Sequence, residues 1–281
     1  MAERTALEGV TLIDFGQYLA GPFGPMIIGD LGADVIKVEP VTGDGMRFVN
    51  QPFTGCQRGK RDISLNLKTE AGLKVALELV ERADIVHHNM TVGVADRLGI
   101  GYDACKAVNP DVVYCNTYAY GLEGPLARFG GLDPLFQATA GLEYENAPVH
   151  AGNPPMYYRF GMCDTANAML SVLGCLAALY HQRRTGEGQE LWTSLLDGGQ
   201  MLASDALLVD GARAPVPQLD ANGMVATIED PELGTTTQVG MPIHLMGTPG
   251  AIRGPRPSPG QHNEEILGEL GYSPEAMKAF T

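Results

Sequence analysis

Residues 10–40, VTLIDFGQYLAGPFGPMIIGDLGADVIKVEP, decide the fold class of this chain. The run 10–15 is compact and apolar and leads into a glycine- and proline-rich turn at 20–25, which is typical of a buried strand ending in a loop. Residues 26–31 have helical spacing and stop at a glycine, and residues 33–40 form a second apolar run. This order of strand, helix and strand predicts a βαβ unit with two parallel strands.

The same alternation continues towards the C-terminus. Further strands are predicted at 62–67, 84–89, 112–116 and 189–192, and further helices at 69–80, 102–108, 165–181, 194–209 and 263–281. Asp164 is the expected N-cap of the longest helix, and Gly186 follows its end. Residues 41–60 show no periodicity and are predicted to be a loop. The chain is therefore predicted to be an α/β protein with a Rossmann-like, mainly parallel sheet flanked by helices, which binds ligands at the carboxyl ends of its strands.

Composition restricts the class of partner. The 281 residues carry a formal net charge of -14, which argues against nucleic acid or an anionic membrane because both select basic surfaces. The five cysteines are odd in number and show no CxxC spacing, so neither disulfides nor a metal site are predicted. The N-terminus has no apolar signal core, and the apolar stretch 168–180 is too short to span a bilayer. We therefore expect a soluble, cytoplasmic protein.

Two local patterns leave more than one interpretation open. Gly16, Gly21 and Gly24 do not form GxGxxG, so a nicotinamide or flavin cofactor is not expected. Asp164 has the residue type of an ordinary helix N-cap, but a carboxylate there can also act chemically, because the helix dipole keeps it ionised beside free backbone N–H groups. Cys163 has no partnering histidine in the sequence pattern and is predicted to be a buried small residue.

Basic residues gather where the loops are expected to meet the sheet edge. Seven of the 19 lysines and arginines lie there, and together they suit a ligand with several phosphates. They are Lys37, Arg47, Arg58, Lys60, Arg61, Lys68 and Arg97. His87 and His88 are adjacent on a predicted strand, so their side chains point to opposite faces and a shared metal ion is not expected.

Five motifs follow one another along residues 6–208. They are LEGVTLIDFGQYLAGPFGPMIIGDLGADVIKVEP at 7–40, RGKRDISLNLKTEAG at 58–72, ADIVHHNMTVGVADRLGIGYD at 83–103, GLDPLFQATAG at 131–141 and GMCDTANAMLSVLGCLAALYHQRRTGEGQ at 161–189. Their order and spacing resemble the family III CoA-transferases, a group that includes formyl-CoA transferase, carnitine CoA-transferase and α-methylacyl-CoA racemase.

The resemblance implies a large domain that binds CoA or an acyl-CoA as substrate, together with a small carboxylic acid. In the family, the aspartate before the long helix accepts the acyl group, first as a mixed anhydride and then as an aspartyl-CoA thioester. Asp164 matches that aspartate. The implied CoA contacts are Lys37 and Val38 by the adenine, Leu65, Leu67 and Lys68 along the nucleotide, and Asn89 and Arg97 by the phosphates.

The chain also departs from the family pattern. Residues 1–209 correspond to the large domain and residues 210–281 to a shortened linker and a returning C-terminal segment, so most of the small domain and its glycine-rich loop are expected to be absent. Leu19 stands where formyl-CoA transferase has a glutamine, which argues against formate or oxalate as substrate. Residues 131–133 contain no histidine where the racemase branch has one, so racemisation is disfavoured.

Two hypotheses of different class therefore stand side by side. The first is a CoA-transferase with Asp164 as nucleophile. The second is a catalytically impaired protein that binds CoA or serves as the partner subunit of a hetero-oligomer. The resemblance implies a homodimer or a hetero-oligomer in either case.

Overall fold

The computed structural model describes residues 5–48, 50–145, 151–203, 208–209, 217–257, 261–271, 273 and 275. The strands are β1 (Thr11–Asp14), β2 (Asp34–Glu39), β3 (Arg61–Ser64), β4 (Ile85–His88), β5 (Val113–Tyr118), β6 (Glu190–Ser194), β7 (Leu208–Val209), β8 (Val225–Asp230), β9 (Gly234–Val239) and β10 (His244–Leu245). The helices are α1 (Phe23–Asp30), α2 (Asn50–Gln57), α3 (Glu70–Val80), α4 (Val94–Arg97), α5 (Tyr102–Val108), α6 (Asp133–Thr139), α7 (Leu142–Glu145), α8 (Met162–Thr185), α9 (Leu195–Leu202), α10 (Pro217–Ala221) and α11 (Asn263–Glu269), with a 3-10 helix at Gly45–Phe48.

The main sheet has seven strands in the order β3-β2-β1-β4-β5-β6-β10. All neighbours are parallel except β10, which pairs antiparallel with β6. This is the doubly wound order, so the predicted α/β fold with a Rossmann-like, mainly parallel sheet is confirmed. The order reverses between β1 and β4, and ligands of such sheets bind outside the carboxyl ends of the strands at that point.

Helices cover both faces of the sheet. Successive residues of a strand point to opposite faces, so each central strand contributes to two cores. Leu12 packs in one apolar cluster with Val172 of α8, and Ile13 packs in the other with Val80 of α3. Because the central parallel strands are buried on both sides, they are apolar at successive positions rather than at alternate ones.

Helix α8 is the core helix of one layer. Its 24 residues are long and apolar enough to cross a membrane by length and composition, but 61% of the most apolar stretch is buried inside the protein, as in the core helix of a soluble domain. Gly24 lets α1 approach it closely, since a Cβ at that position would lie 2.5 Å from Ser171 Oγ. Gly186 ends the helix in the left-handed conformation (φ 79°), which confirms the predicted stop.

The C-terminal part adds a second sheet and returns to the first. Strands β7, β9 and β8 form a three-stranded antiparallel sheet. His244 of β10 then lies opposite Trp192 of β6, and the two rings stack with centroids 3.7 Å apart and planes 8° from parallel. The expected boundary between 209 and 210 stays a prediction, because residues 210–216 lie outside the described residues.

Two predictions of local structure are wrong. The expected loop 41–60 contains the 3-10 helix and α2, because Asp44 fixes the turn before them: its N–H donates to Glu39 Oε2 (2.9 Å) and its Oδ1 accepts from Met46 N–H (2.8 Å). The helix expected at 194–209 ends at Leu202, and Ser194 is its N-cap. The remainder of that prediction falls partly on 204–207, outside the described residues.

Candidate active site

A cavity of about 400 Å³ opens at the carboxyl ends of β1, β2, β3 and β4, beside the reversal in strand order. It is lined by Phe15, Gln17, Val38, Glu39, Pro40, Val41, Leu65, Asn66, Leu67, Lys68, Met90 and Leu98. Four of the expected CoA contacts, Val38, Leu65, Leu67 and Lys68, therefore surround one cavity. Apolar walls with a few polar groups and an exposed lysine suit a flat heterocycle that carries a phosphate.

The other three expected CoA contacts do not line this cavity. Lys37 Nζ is buried, where it donates to the carbonyl oxygen of Gly16 (2.7 Å) and pairs with Asp44 (2.9 Å), so its charge faces the core. Asn89 holds the loop after β1, because its side chain accepts from the N–H of Gln17 (2.9 Å) and donates to its carbonyl (2.8 Å). Arg97 is exposed at the end of α4, next to a lining residue of the cavity.

The expected cluster of seven cations is largely neutralised within the protein. Five of these side chains form ion pairs: Lys37 with Asp44, Arg47 with Glu39, Arg58 with Asp30, Lys60 with Asp14 and Arg61 with Asp34. Lys68 and Arg97 form no ion pair within the described residues. Counting charges in the sequence therefore overstates the number of cations that an anionic ligand could meet. Of the seven, Lys68 and Arg97 remain.

A buried ion pair holds the loop after β1. Lys60 Nζ lies 2.7 Å from Asp14 Oδ2 and also donates to the carbonyl of Pro22 (2.8 Å) and to Gln57 Oε1 (2.9 Å). The second carboxylate oxygen of Asp14 accepts from Gly16 N–H (2.8 Å). Burial alone would raise the pKa of Asp14, but the Lys60 ammonium holds that pKa well below its usual range. The pair stays charged and fixes the course of the loop.

Backbone strain is stored in the same loop. Tyr18 has a φ of 62°, the only positive φ of a non-glycine residue in the described part of the chain. Its N–H donates to Asp44 Oδ1 (3.1 Å), and a Cβ on Gly45 would lie 2.6 Å from its hydroxyl. A bulky side chain is held in this region only where its surroundings over-determine it, and such positions concentrate at functional sites.

Asp164 is the third residue of α8, whose N-cap is Gly161. The prediction of Asp164 as N-cap is therefore wrong, and the physical reason is a cap from another helix: the N–H of Asp164 donates to Asp133 Oδ2 at 3.0 Å. Burial raises the pKa of Asp164 to about 7, and the charge of Asp133 acts in the same direction. The carboxyl thus titrates near neutral pH, and its ionised form is more basic than an ordinary aspartate.

Asp133 and Gln137 of α6 fix the chain before α8. Gln137 Nε2 donates to Asp133 Oδ1 and to the carbonyl of Tyr158 (3.1 Å), while its Oε1 accepts from Tyr158 N–H (3.0 Å). Both α6 side chains are buried. Sequence analysis did not identify them as site residues, and the only local signal was the Asp-Pro pair that starts α6.

Leu19, in the loop after β1, lies close to Asp164. A Cβ placed on Gly161 would lie 2.7 Å from Leu19 Cδ2 and 2.9 Å from Asp164 Oδ2, so the leucine and the carboxylate flank the same point. Gln17, two residues earlier in the loop, lines the cavity. The loop after β1 thus contributes Gln17 to the cavity and Leu19 to the surroundings of Asp164.

The remaining nucleophile and ligand candidates are buried. Cys163 is inaccessible, and burial raises its pKa to about 12, which argues against a thiolate nucleophile. Burial lowers the pKa of His88 to about 3, and its Nδ1 accepts from Met90 N–H (3.1 Å). His87 is buried with its Nδ1 3.6 Å from Asp14. Across the described ranges, no three His, Cys, Asp or Glu residues are grouped so as to hold a metal ion.

Relatives of known activity match most of this chain. The acetyl-CoA:oxalate CoA-transferase of Acetobacter aceti is 34% identical over 219 residues, which cover 75% of this chain and 56% of that protein. The succinyl-CoA:glutarate CoA-transferase of Homo sapiens is 34% identical over 199 residues, covering 68% and 45% of the two chains. The chain spans about half the length of the curated relatives it matches.

A solved structure and a family profile agree with these relatives. The crystal structure of a CAIB/BAIF family protein from Brucella suis matches with a TM-score of 0.69 and 32% identity, over 72% of this chain and 56% of that one. Residues 7–219 and 210–263 match the profile of CoA-transferase family III. On this sequence coverage and this fold, the chain belongs to CoA-transferase family III.

Proposed function

We propose that this chain moves CoA between an acyl-CoA and a free carboxylic acid, with Asp164 as the nucleophile. One observation carries the proposal: a carboxyl with a pKa of about 7 lies beside the loop after β1, two residues of which, Phe15 and Gln17, line the cavity. The relatives support CoA transfer, since their names specify exchange of CoA between acetate and oxalate or between succinate and glutarate.

The proposed reaction exchanges one acyl bond for another at each step. The ionised oxygen of Asp164 attacks the acyl carbon, the carbon–sulfur bond breaks, and CoA leaves as a thiolate. The thiolate then attacks the Asp164 carbonyl of the mixed anhydride, which releases the donor acid as a carboxylate and leaves an aspartyl-CoA thioester. The acceptor carboxylate attacks that thioester, whose carbon–sulfur bond breaks, so that a second mixed anhydride and free thiolate form. The thiolate then attacks the acyl carbon of the acceptor, which gives the new acyl-CoA and releases Asp164 as a carboxylate. Covalent catalysis thereby divides one difficult exchange into easier ones.

The residues of the cavity and the start of α8 have separate roles in this scheme. Val38, Leu65 and Leu67 supply apolar contacts for the adenine, while the exposed charges of Lys68 and Arg97 meet phosphates. The N–H of Asp164 itself donates to Asp133, so the oxyanion on the acyl carbon would be stabilised by the earlier N–H groups of α8, at the positive end of the helix dipole. The loop after β1, which the buried ion pair holds, keeps these groups in fixed relative positions.

The raised pKa of Asp164 sets the expected pH dependence. Only the ionised carboxylate can attack, so the rate of acylation is low below the pKa of about 7 and rises as the pH passes through it. A mixed anhydride hydrolyses readily, so the site must also exclude water. The side chain of Leu19 supplies part of that cover beside the carboxylate.

A CoA-binding or partner subunit is the alternative function. The observation that favours it is the exposure of large apolar side chains next to Asp133 and Asp164 in the chain, including Leu132 and Phe160. A homodimer or a hetero-oligomer would bury such residues, and a cytoplasmic location suits either function. Activity of the purified chain alone separates the two proposals.

Intact-mass measurement tests the nucleophile directly. Purified protein is incubated with acetyl-CoA, butyryl-CoA or succinyl-CoA, with and without hydroxylamine, which cleaves anhydrides and thioesters. We expect an acyl or CoA adduct on the wild type and none on Asp164→Asn. Asp103→Asn is the matched control, because Asp103 also lies in the first turn of a helix, but that helix is α5, which packs against α3.

The outcomes separate the two functions. An adduct that persists in Asp164→Asn would overturn the assignment of the nucleophile. No adduct with any of the thioesters, in protein that still binds CoA by calorimetry, would overturn solo catalysis and support the partner subunit. Activity that appears only after a full-length relative is added would have the same meaning.

A further inference from the structure

The loop after β1 places two nearby side chains in different surroundings. Gln17 lines the cavity, whereas Leu19 lies beside the carboxyl of Asp164: a Cβ on Gly161 would be 2.7 Å from Leu19 Cδ2 and 2.9 Å from Asp164 Oδ2. In an extended chain, residues two apart point to the same side. The backbone must therefore turn at the residue between them, which is Tyr18.

Tyr18 makes this turn in a conformation that its residue type disfavours. Its φ of 62° lies in the left-handed region, where the Cβ of an L-residue crowds the backbone. The side chain is 53% exposed, so apolar burial does not account for this conformation. The N–H of Tyr18 donates to Asp44 Oδ1 (3.1 Å), and Asp44 is itself fixed, because it is buried and pairs with Lys37 Nζ (2.9 Å).

The residues on the two sides of Tyr18 are held by different contacts. Before it, Gln17 is fixed by Asn89, whose side chain accepts from the N–H of Gln17 (2.9 Å) and donates to its carbonyl (2.8 Å). After it, the carbonyl of Leu19 accepts from the N–H of Phe23 at the start of α1 (3.1 Å). A change of φ at Tyr18 therefore displaces Leu19, while Gln17 stays at the cavity.

Leu19 shields the carboxyl of Asp164 from water without adding a charge. Burial is the main cause of the raised pKa of Asp164, and the charge of Asp133 is the second. The titratable and charged groups around Asp164 are Asp133 on α6, Cys163 on α8, Cys56 on α2 and Tyr157 before α8, together with Glu143 and Arg159, which act on the same Tyr157 phenol. All of them lie outside the loop after β1, so a displacement of Leu19 changes the burial of Asp164 and not these charges.

We propose that Tyr18 is a positioning residue, whose left-handed backbone holds Leu19 against Asp164 and so keeps water from the carboxyl. Tyr18 acts through Leu19 and not by contact with the reacting atoms. The inference rests on the proposed function, in which a mixed anhydride on Asp164 has to be protected from hydrolysis.

Two substitutions that both remove the Tyr18 ring separate the backbone from the side chain. Tyr18→Val disfavours the left-handed region, because valine is β-branched, whereas Tyr18→Gly adopts that region without cost. Carbon-13 NMR of labelled aspartate carboxyl groups measures the pKa of Asp164, whose signal is the one lost in Asp164→Asn. We expect this pKa to fall by about one pH unit in Tyr18→Val, because the carboxyl becomes more hydrated, and to be unchanged in Tyr18→Gly.

Reaction and binding give the second measurement. Adduct formation on Asp164 from acetyl-CoA, followed by mass spectrometry above pH 7, should be about tenfold slower in Tyr18→Val than in Tyr18→Gly. The Kd of CoA, measured by calorimetry, should be equal in the two variants, because Asn89 keeps Gln17 at the cavity. Tyr180→Val is the control, because Tyr180 is also exposed but lies towards the other end of α8 from Asp164. Tyr18→Ala, which disfavours the left-handed region less than valine does, replaces Tyr18→Val if circular dichroism shows that variant to be unfolded.

The outcomes distinguish this inference from the proposed function. Equal pKa values of Asp164 in Tyr18→Val and Tyr18→Gly overturn the inference, whether or not adducts form. A lower pKa in Tyr18→Val alone, without an adduct on the wild type, supports the positioning role and overturns catalysis by the chain alone. Adducts that form at the same rate in both variants overturn the inference and leave the proposed function standing. A fall of the pKa in Tyr180→Val as large as in Tyr18→Val also overturns the assignment to Tyr18.

Discussion

Replacing Lys60 by methionine should destabilise the protein strongly, because it leaves the Asp14 carboxylate buried without its partner. The Lys60 side chain is 2% exposed and Asp14 is fully buried, and the ammonium donates to three acceptors. Removing one partner of a buried ion pair costs about 3–5 kcal/mol. Arg61→Met is the matched control, since Arg61 and Asp34 are 65% and 47% exposed and such pairs contribute only about 0–1 kcal/mol.

Urea unfolding followed by circular dichroism measures both changes. With a slope of about 3 kcal/mol per molar urea, Lys60→Met should lower the unfolding midpoint by on the order of 1 M. Arg61→Met should lower it by a few tenths of that amount. The double variant Asp14→Asn/Lys60→Met should recover part of the loss, because it removes the unpaired charge. Equal midpoints for Lys60→Met and Arg61→Met would refute the argument that this pair holds the loop.

Two further predictions concern the site and the helix packing. Asp133→Asn keeps an acceptor for the N–H of Asp164 but removes the negative charge of residue 133, so the pKa of Asp164 should fall below about 7. The pH–rate profile of adduct formation should therefore move to lower pH. An unmoved profile would contradict the electrostatic role of Asp133. Gly24→Ala should lower the unfolding free energy by about 1–3 kcal/mol, because its Cβ would lie 2.5 Å from Ser171 Oγ. Gly55→Ala in α2 is the control, because a Cβ there meets nothing within 4 Å. In the same urea assay it should be neutral or stabilising by up to about 1 kcal/mol. Equal losses of unfolding free energy in the two variants would disprove the packing argument.

The sequence pattern was sufficient to predict strands β1 to β6 of the main sheet and the alternation of strands with helices, but not β10. Each central strand is a short apolar run that is buried on both faces, and this signal is local. The start of α8 could not be obtained in the same way. Asp164 has the residue type of an N-cap, but its N–H is bound by Asp133, which lies 31 residues earlier in the chain. A cap supplied by another helix leaves no local pattern.

The sequence predicted the apolar contacts of the candidate site but not the ion pairs around it. Apolar contacts such as Val38 and Leu67 follow from strand positions, and they do surround the cavity. The cations were overestimated because composition does not reveal which carboxylate a side chain meets. Lys60 and Lys37 are fully engaged by Asp14 and Asp44, which become neighbours only when the loops fold over the sheet edge.

Trp192 of β6, which stacks on His244 of β10, is an internal fluorophore that can report on the pairing of these two strands. Trp192 is the only tryptophan, and His244 covers its indole face at 3.7 Å. The stacked imidazole covers that face of the indole, so loss of the stacking changes indole emission. The emission spectrum therefore reports, without an added label, whether β10 stays paired with β6 when a ligand is added.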